Sequence, residues 1–320
     1  MKKIAFHTHA NNKTGFGHLA RCFNLSRILL AKDKKLEIYF IGKFNNNIKI
    51  WINSHINIKF RIPKKKYLAI YDRMDDTENP ENINIGLIKK IKKKSEHLIF
   101  FANGKKLANK NIFNNSTVIG YKIGKEVSKK PNIYWDLKYT PVNIKKVKIK
   151  IKNTVLVALG GNNGNDNIDK VLKALSKCTR IKKILLLTSP VNKNNINSSL
   201  LRKDQDIELF HKVPNIELLF KKVNLVLASY GHLGYEALTA GIPLCLLNQK
   251  RFQTIYSKAL VQEKLCFSAG NLKYISIKKI TDSICKTISH SDIYIKNLET
   301  KFKNSGLRHV AKIIYDIAKD

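Results

Sequence analysis

Thr154-Val155-Leu156-Val157-Ala158-Leu159 runs directly into Gly160-Gly161-Asn162-Asn163-Gly164. The first stretch leaves no polar face. A strand of that kind is covered on both sides, as in a parallel sheet flanked by helices. The pattern continues downstream. Helices are expected over Ile168–Lys177, Ile216–Lys222, Leu233–Ala240, Gln253–Lys264 and Ile277–Ser289. Strands are expected over Lys183–Leu187, Ile207–Phe210, Leu225–Ala228 and Leu244–Leu247, with a short one at Phe267. Strand and helix alternate, which is the grammar of an α/β domain.

Upstream the same grammar is looser. Lys3–Phe6 reads as a strand, His7–Gly17 as a polar loop and His18–Ala31 as a helix. Further strands are expected at Leu36–Ile41, Leu68–Tyr71, His97–Phe101 and Ser116–Ile119, with a basic helix at Glu81–Lys94. Isoleucine-rich pieces at Ile50–Ile52 and Ile56–Ile62 suggest short strands. Residues 131–150 hold Pro131, Pro141 and a run of lysines, a poor basis for a core. The expected layout is therefore two α/β domains: residues 1–138, a linker at 139–150, residues 151–295, and a closing helix within 296–320.

The chain has 320 residues, enough for two cores, and its 43% apolar and 26% charged residues suit a folded protein. Its net charge of +37 invites a nucleic-acid reading. Only eight of the 60 basic residues are arginines, however, and the lysines are spread along a chain with 33 asparagines. That pattern is compositional drift rather than a recognition surface, because bidentate base and phosphate contacts favour arginine. No specific nucleic-acid partner is expected. Anionic ligands and lipid head groups remain compatible, so peripheral membrane association stays open. No run reaches the length of a membrane-spanning helix, and no signal peptide is readable at Met1–Phe6. Five dispersed cysteines without a paired spacing point to a reducing cytoplasm and away from zinc.

Four constellations could carry chemistry. Gly15 and Gly17 precede His18 and Arg21 at the start of a helix, where backbone N–H groups can meet an anion. A helix N-terminus disfavours a cation, which favours a neutral His18 able to act as a base. Gly160, Gly161 and Asn162 form either a flexible turn or a backbone cradle at a strand end. Ser229, Tyr230, Gly231 and His232 open another helix that could hold a diphosphate. Glu236 on that helix could take two ribose hydroxyls, and Gln249 follows the next strand. Asp72 ends an apolar strand. It is a cap, a sugar-hydroxyl ligand or a support for His18. No metal-ligand spacing is convincing, and no cofactor is expected.

Together, Gly15-x-Gly17-His18-x-x-Arg21-Cys22, the Gly160-Gly161 loop, Glu236…Gly241-Ile242-Pro243…Gln249 and Gly306-Leu307-Arg308-His309-Val310 resemble a known group. It comprises the UDP-sugar hydrolases of pseudaminic acid biosynthesis and the related spore-coat polysaccharide proteins. The third motif is also similar to that of the lipid II-forming N-acetylglucosaminyltransferases. The resemblance implies a GT-B fold, two Rossmann-like domains facing across a cleft, with the nucleotide on the C-terminal domain and the last helix returning to the N-terminal one. It implies a nucleotide-sugar hydrolase in which His18 activates water and a nucleoside diphosphate, UDP, is released. The alternative is a glycosyltransferase of the same fold with a glycan or lipid-linked acceptor in place of water. His9-Ala10-Asn11 and Asn162-Asn163 depart from the hydrolase pattern, which bears on the sugar, the acceptor and the reaction.

Overall fold

The computed structural model describes residues 3–10, 17–76, 78–102, 110–121, 132–149, 151–160, 165–188, 197–211, 213, 215–302 and 306–319. The chain divides into two compact units, residues 1–143 with 304–320 and residues 144–303.

In the first unit, β1 (Lys3–His7), β2 (Glu37–Ile41), β3 (Leu68–Tyr71), β4 (His97–Phe101), β5 (Thr117–Gly120) and β6 (Ile133–Trp135) form one sheet in the order β2-β1-β3-β4-β5-β6. Every pairing is parallel. Side chains alternate across it. Ile4, Phe6, Phe40, Leu68, Ile70 and Phe101 join one core with α1 (Gly17–Lys32) and the C-terminal helix Gly306–Lys319. Ala5, Tyr39, Ala69, Tyr71 and Phe100 face the other way, onto Ile88 and Ile91 of a basic helix, Ile85–Lys94.

Ile50–Ile52, expected as a strand, is instead part of a helix, α2 (Asn46–Asn53). The Asn45 side chain accepts from the Ile48 amide and caps it. Ile48 and Ile52, one turn apart, then reach the core. Ile56–Ile62 contributes a single bridge, Tyr39 to Lys59. The basic helix, α3 (Ile85–Lys94), starts four residues later than expected because Asn84 caps it by accepting from the Leu87 amide. Residues 132–149 are more structured than their composition suggests. They supply the edge strand β6, and Thr140 and Val142 are buried.

The second unit holds β7 (Thr154–Ala158), β8 (Lys183–Leu187), β9 (Asp206–Phe210), β10 (Leu225–Ala228), β11 (Leu244–Asn248) and β12 (Phe267–Asn271), ordered β12-β11-β10-β7-β8-β9. All pairings are again parallel. This is the doubly wound order of a dinucleotide-binding sheet. α4 (Asn165–Ser176), α5 (Glu217–Phe220), α6 (His232–Ala240) and α7 (Arg251–Gln262) connect the strands, and α8 (Ile277–Ser289) follows the last of them. The expected last helix, Lys296–Ile317, is two: α9 (Ser291–Lys301), ended at buried Phe302, and α10 (Gly306–Lys319). α10 belongs to the first unit. A Cβ on Gly306 would lie 2.1 Å from the Thr140 carbonyl oxygen, so only glycine lets α10 seat there.

Candidate functional site

Each sheet has a point where the chain switches direction of travel across it: between β1 and β3 in the first unit, between β7 and β10 in the second. Ligands of open parallel sheets bind outside the carboxyl ends of the strands at such points. The expected site residues gather at both.

At the first, α1 carries His18 and Arg21 three positions apart, hence on one face. Both reach Asp72, the residue after β3. His18 Nδ1 lies 2.7 Å from Asp72 Oδ1. Arg21 donates from Nε to Oδ2 at 2.5 Å and from a terminal nitrogen to Oδ1. Its other terminal nitrogen donates to the Tyr121 hydroxyl at 2.6 Å, and the guanidinium sits 5.0 Å over the Phe101 ring. Asp72 is 1% exposed. Burial alone would push its pKa up, but the Arg21 guanidinium and His18 outweigh that and hold it well below the usual carboxylate range. The ionised Asp72 can only accept, so His18 Nδ1 must carry the proton, and a protonated Nδ1 cannot accept from Arg21, whose 3.1 Å approach is contact. Nδ1–H therefore donates to Asp72, and Nε2 carries the free lone pair. Two further buried histidines lie nearby, His7 as the last residue of β1 and His9 two residues beyond it. His7 meets the Tyr67 hydroxyl at 3.2 Å, and the His9 ring lies 6.4 Å from that of His18. Burial, then the Arg73 charge, lowers both to a pKa of about 4, so both are neutral at pH 7.

At the second, the backbone turns at Gly160 with φ +104, a left-handed conformation that favours glycine, and open space lies where a Cβ would be. Ser229 Oγ lies 3.0 Å from the Leu159 carbonyl and 2.8 Å from that of Leu247. Gln249 Nε2 donates to the same Leu159 carbonyl and lies 3.2 Å from Ser229 Oγ. Gly231 precedes α6, whose first amides have no acceptor within the helix, the arrangement that suits an anion. His232 Nε2 is 3.4 Å from Glu236 Oε1, one turn on, and both are 16% exposed. Tyr230 is buried, its hydroxyl 3.0 Å from that of Tyr235.

Gly17, His18, Arg21 and Asp72 are thus together in one unit, and Gly160, Ser229, Tyr230, Gly231, His232, Glu236 and Gln249 in the other. Gly15, Gly161 and Asn162 lie outside the described residues. Gln253 was expected only as the first residue of a helix. Its side chain accepts from the Gln249 and Lys250 amides at 2.9 and 3.0 Å and donates to the Tyr230 carbonyl at 3.0 Å. Asn248, fully buried, accepts from the Tyr230 amide at 3.0 Å. A polar residue closing the apolar run Leu244–Leu247 was the available signal. Tyr121 gave none.

Two Rossmann-like α/β domains in one chain define the GT-B fold, and solved structures share it. MurG of Acinetobacter baumannii aligns with a TM-score of 0.63 at 11% identity, over 99% of this chain and 100% of that one. CalG4, the calicheamicin glycosyltransferase, aligns at 0.62 and 10%, over 99% and 98%. UGT71G1 of Medicago truncatula, complexed with UDP-glucose, aligns at 0.61 and 14%, over 99% and 98%. At these identities the likeness is one of fold. No family model matches the chain. An uncharacterized protein of Methanocaldococcus jannaschii is 26% identical over 286 residues, which cover 78% of this chain and 56% of the relative. The chain therefore spans about half the length of that curated relative. The expectation of a nucleotide-sugar hydrolase is corrected here. The structures that share the fold are named as transferases, CalG4 among them, and the likeness does not single out the pseudaminic acid or lipid II enzymes.

Proposed function

We propose that this chain is a glycosyltransferase that moves a sugar from a nucleoside diphosphate, UDP in the first instance, to a hydroxyl of a glycan or lipid-linked acceptor. The observation that carries the reading is His18, held through Nδ1 by an aspartate that Arg21 keeps ionised. In the proposed step His18 Nε2 takes the acceptor hydroxyl proton. The acceptor oxygen bonds to the anomeric carbon, and the bond from that carbon to the diphosphate oxygen breaks with its electron pair. Asp72 orients the imidazole and stabilises the imidazolium that forms. The α6 amides would meet the leaving diphosphate, and Glu236 the ribose hydroxyls. UDP is supported by the motif resemblance and by the UDP-glucose held by UGT71G1.

Two further parts belong to this proposal. Peripheral contact with anionic membrane is supported by Ile50, 68% exposed, and Trp51, 39% exposed, on α2 of a chain carrying +37. A cytoplasmic setting is supported by five free thiols, four of them buried. The test is UDP release from a panel of UDP-sugars, with and without candidate glycan acceptors. Release should depend on acceptor and fall about 10²–10⁴-fold in His18→Gln, the usual size of general-base catalysis, while UDP binding persists by calorimetry. Unchanged release in that variant would overturn the reading.

A further inference from the structure

We propose that Arg73 and His9 form an oxyanion subsite beside His18, so that the acceptor carries a carboxylate or a phosphate close to the hydroxyl it offers. The argument rests on which hydrogen-bonding capacity around His18 is spent. Asp72 is consumed by Arg21 and His18. Asp75 accepts from the Tyr71 hydroxyl, from Arg73 Nε at 2.7 Å and from the Asn84 amide at 2.8 Å. Both carboxylates that face His9 are therefore satisfied.

The donors are not. Arg73 engages Asp75 through Nε, and among the described residues its two terminal amino groups donate to nothing. Apart from Arg73, Asp75 is anchored from two sides, by the Tyr71 hydroxyl and the Asn84 amide, so it fixes the guanidinium rather than chasing it. His9 is 6% exposed, yet its Nε2 is buried with no hydrogen-bond partner among the described residues. β1 and β3 pair in parallel with His7 beside Tyr71, and the Asp72 amide donates to the His7 carbonyl at 3.1 Å, so His9 and Arg73, each two residues further on, leave the sheet side by side. Arg73, His18, Asp75 and Asp72 are the charged and titratable groups that act on His9. Burial, reinforced by Arg73, keeps its imidazole neutral at pH 7, with one N–H and one lone pair, and the tautomer protonated on Nε2 turns that buried nitrogen into a donor for an anion. The unspent charge at this strand end is therefore cationic, the positioned guanidinium fork of Arg73, beside His9 Nε2 and Thr8 Oγ1, both unpartnered among the described residues. That fork matches the planar pair of oxygens of a carboxylate, or two oxygens of a phosphate.

The proposal rests on the transferase reading only in calling the ligand an acceptor. The test uses full-length protein with isotope-labelled histidine, the His9 ring signals assigned through His9→Gln. Three probes are titrated at pH 7: inorganic phosphate, methyl β-glucuronide, and methyl β-glucoside as the neutral control. At least one anion should shift His9 saturably, and the glucoside should not. The dissociation constant should rise at least tenfold in Arg73→Gln and recover in part in Arg73→Lys, which restores charge without the fork. A response to phosphate alone identifies a phosphorylated acceptor; one to glucuronide alone identifies an acidic sugar. No response to either anion, or an equal response in Arg73→Gln, overturns the subsite. Should Arg73→Gln fail to fold, His9→Gln followed by calorimetry with the same anion carries the comparison. Anion binding without acceptor-dependent turnover would retain the subsite and remove the transferase reading.

Discussion

Replacing Asp72 by Asn tests the first-unit site at its most buried point. The change is nearly isosteric, so packing is preserved and charge is removed. Arg21, 3% exposed, is left as a buried cation with its counter-charge gone, and an amide N–H₂ now faces guanidinium donors. Breaking one partner of a buried ion pair costs about 3–5 kcal/mol. For a unit of this size, about 2–4 °C of Tm accompanies each kcal/mol, so the expected fall is about 6–20 °C at pH 7. The sign with pH follows from the carboxyl's position. Its folded pKa lies below its unfolded value, so the stability it confers is present above the unfolded pKa and is lost as pH falls through the folded one. The gap between wild type and Asp72→Asn should therefore be constant near neutrality and narrow only below about pH 4. Calorimetric unfolding across pH 3–8 measures both (a range set by the ordinary carboxylate pKa). Removing both charges in Arg21→Met/Asp72→Leu should cost less than Asp72→Asn alone, because no unpaired charge is left. A single variant with wild-type Tm, or a double variant less stable than the single, would refute the account.

Other outcomes follow from the same contacts. Gly306→Ala, whose Cβ would sit 2.1 Å from the Thr140 carbonyl oxygen, should unseat α10 and lower Tm, with early proteolysis at the C-terminus. Gly231→Ala should leave Tm unchanged, since its φ of 166 is extended backbone and its Cβ meets open space, yet it should weaken UDP binding by crowding the α6 amides. Gln253→Ala should loosen the Tyr230 and Gln249 loops and cost about 1–3 kcal/mol of stability together with donor affinity, read by unfolding and calorimetry. Ile50→Ser should reduce co-sedimentation with phosphatidylglycerol vesicles without changing Tm, because that side chain is 68% exposed, whereas Trp51 packs its ring 4.7 Å from Phe23 and is left in place.

The doubly wound half was readable because its signals are local. Leu225–Ala228 and Leu244–Leu247 are unbroken apolar runs, and Gly241 ends α6 in the left-handed conformation that such an ending uses. The first half resisted where isoleucine and asparagine dominate. Ile50-Trp51-Ile52 is β-branched and aromatic, and only the Asn45 cap with the turn-apart pair Ile48 and Ile52 makes it a helix. β6 was hidden because three residues at a sheet edge carry little periodicity, and its Trp135 ring lies against Gly120, a contact no spacing announces. In the candidate site, His18 and Arg21 were legible as neighbours on one helix turn. Their shared partner Asp72 was legible only as one with three alternatives, a cap, a sugar-hydroxyl ligand or a support for His18, because 51 residues separate it from Arg21. The role of Gln253 was not legible, because a glutamine near a helix start looks the same whether it points to water or to the backbone of two loops.

That separation explains why one helix supplies two different groups. A base held by a carboxylate works only while the carboxylate stays ionised, and burial at 1% exposure opposes ionisation. The arginine that offsets burial must sit within bonding distance without occupying the base. The three-residue spacing does this: His18 takes one edge of Asp72, Arg21 takes both oxygens from beside it, and the remaining guanidinium nitrogen is drawn off by Tyr121. Lysine in place of Arg21 could keep the charge but could not hold Asp72 and Tyr121 together, since one ammonium has no fork. The Arg21–Asp72 pair is therefore best understood as the device that fixes the His18 tautomer, with its contribution to stability a consequence of burying it.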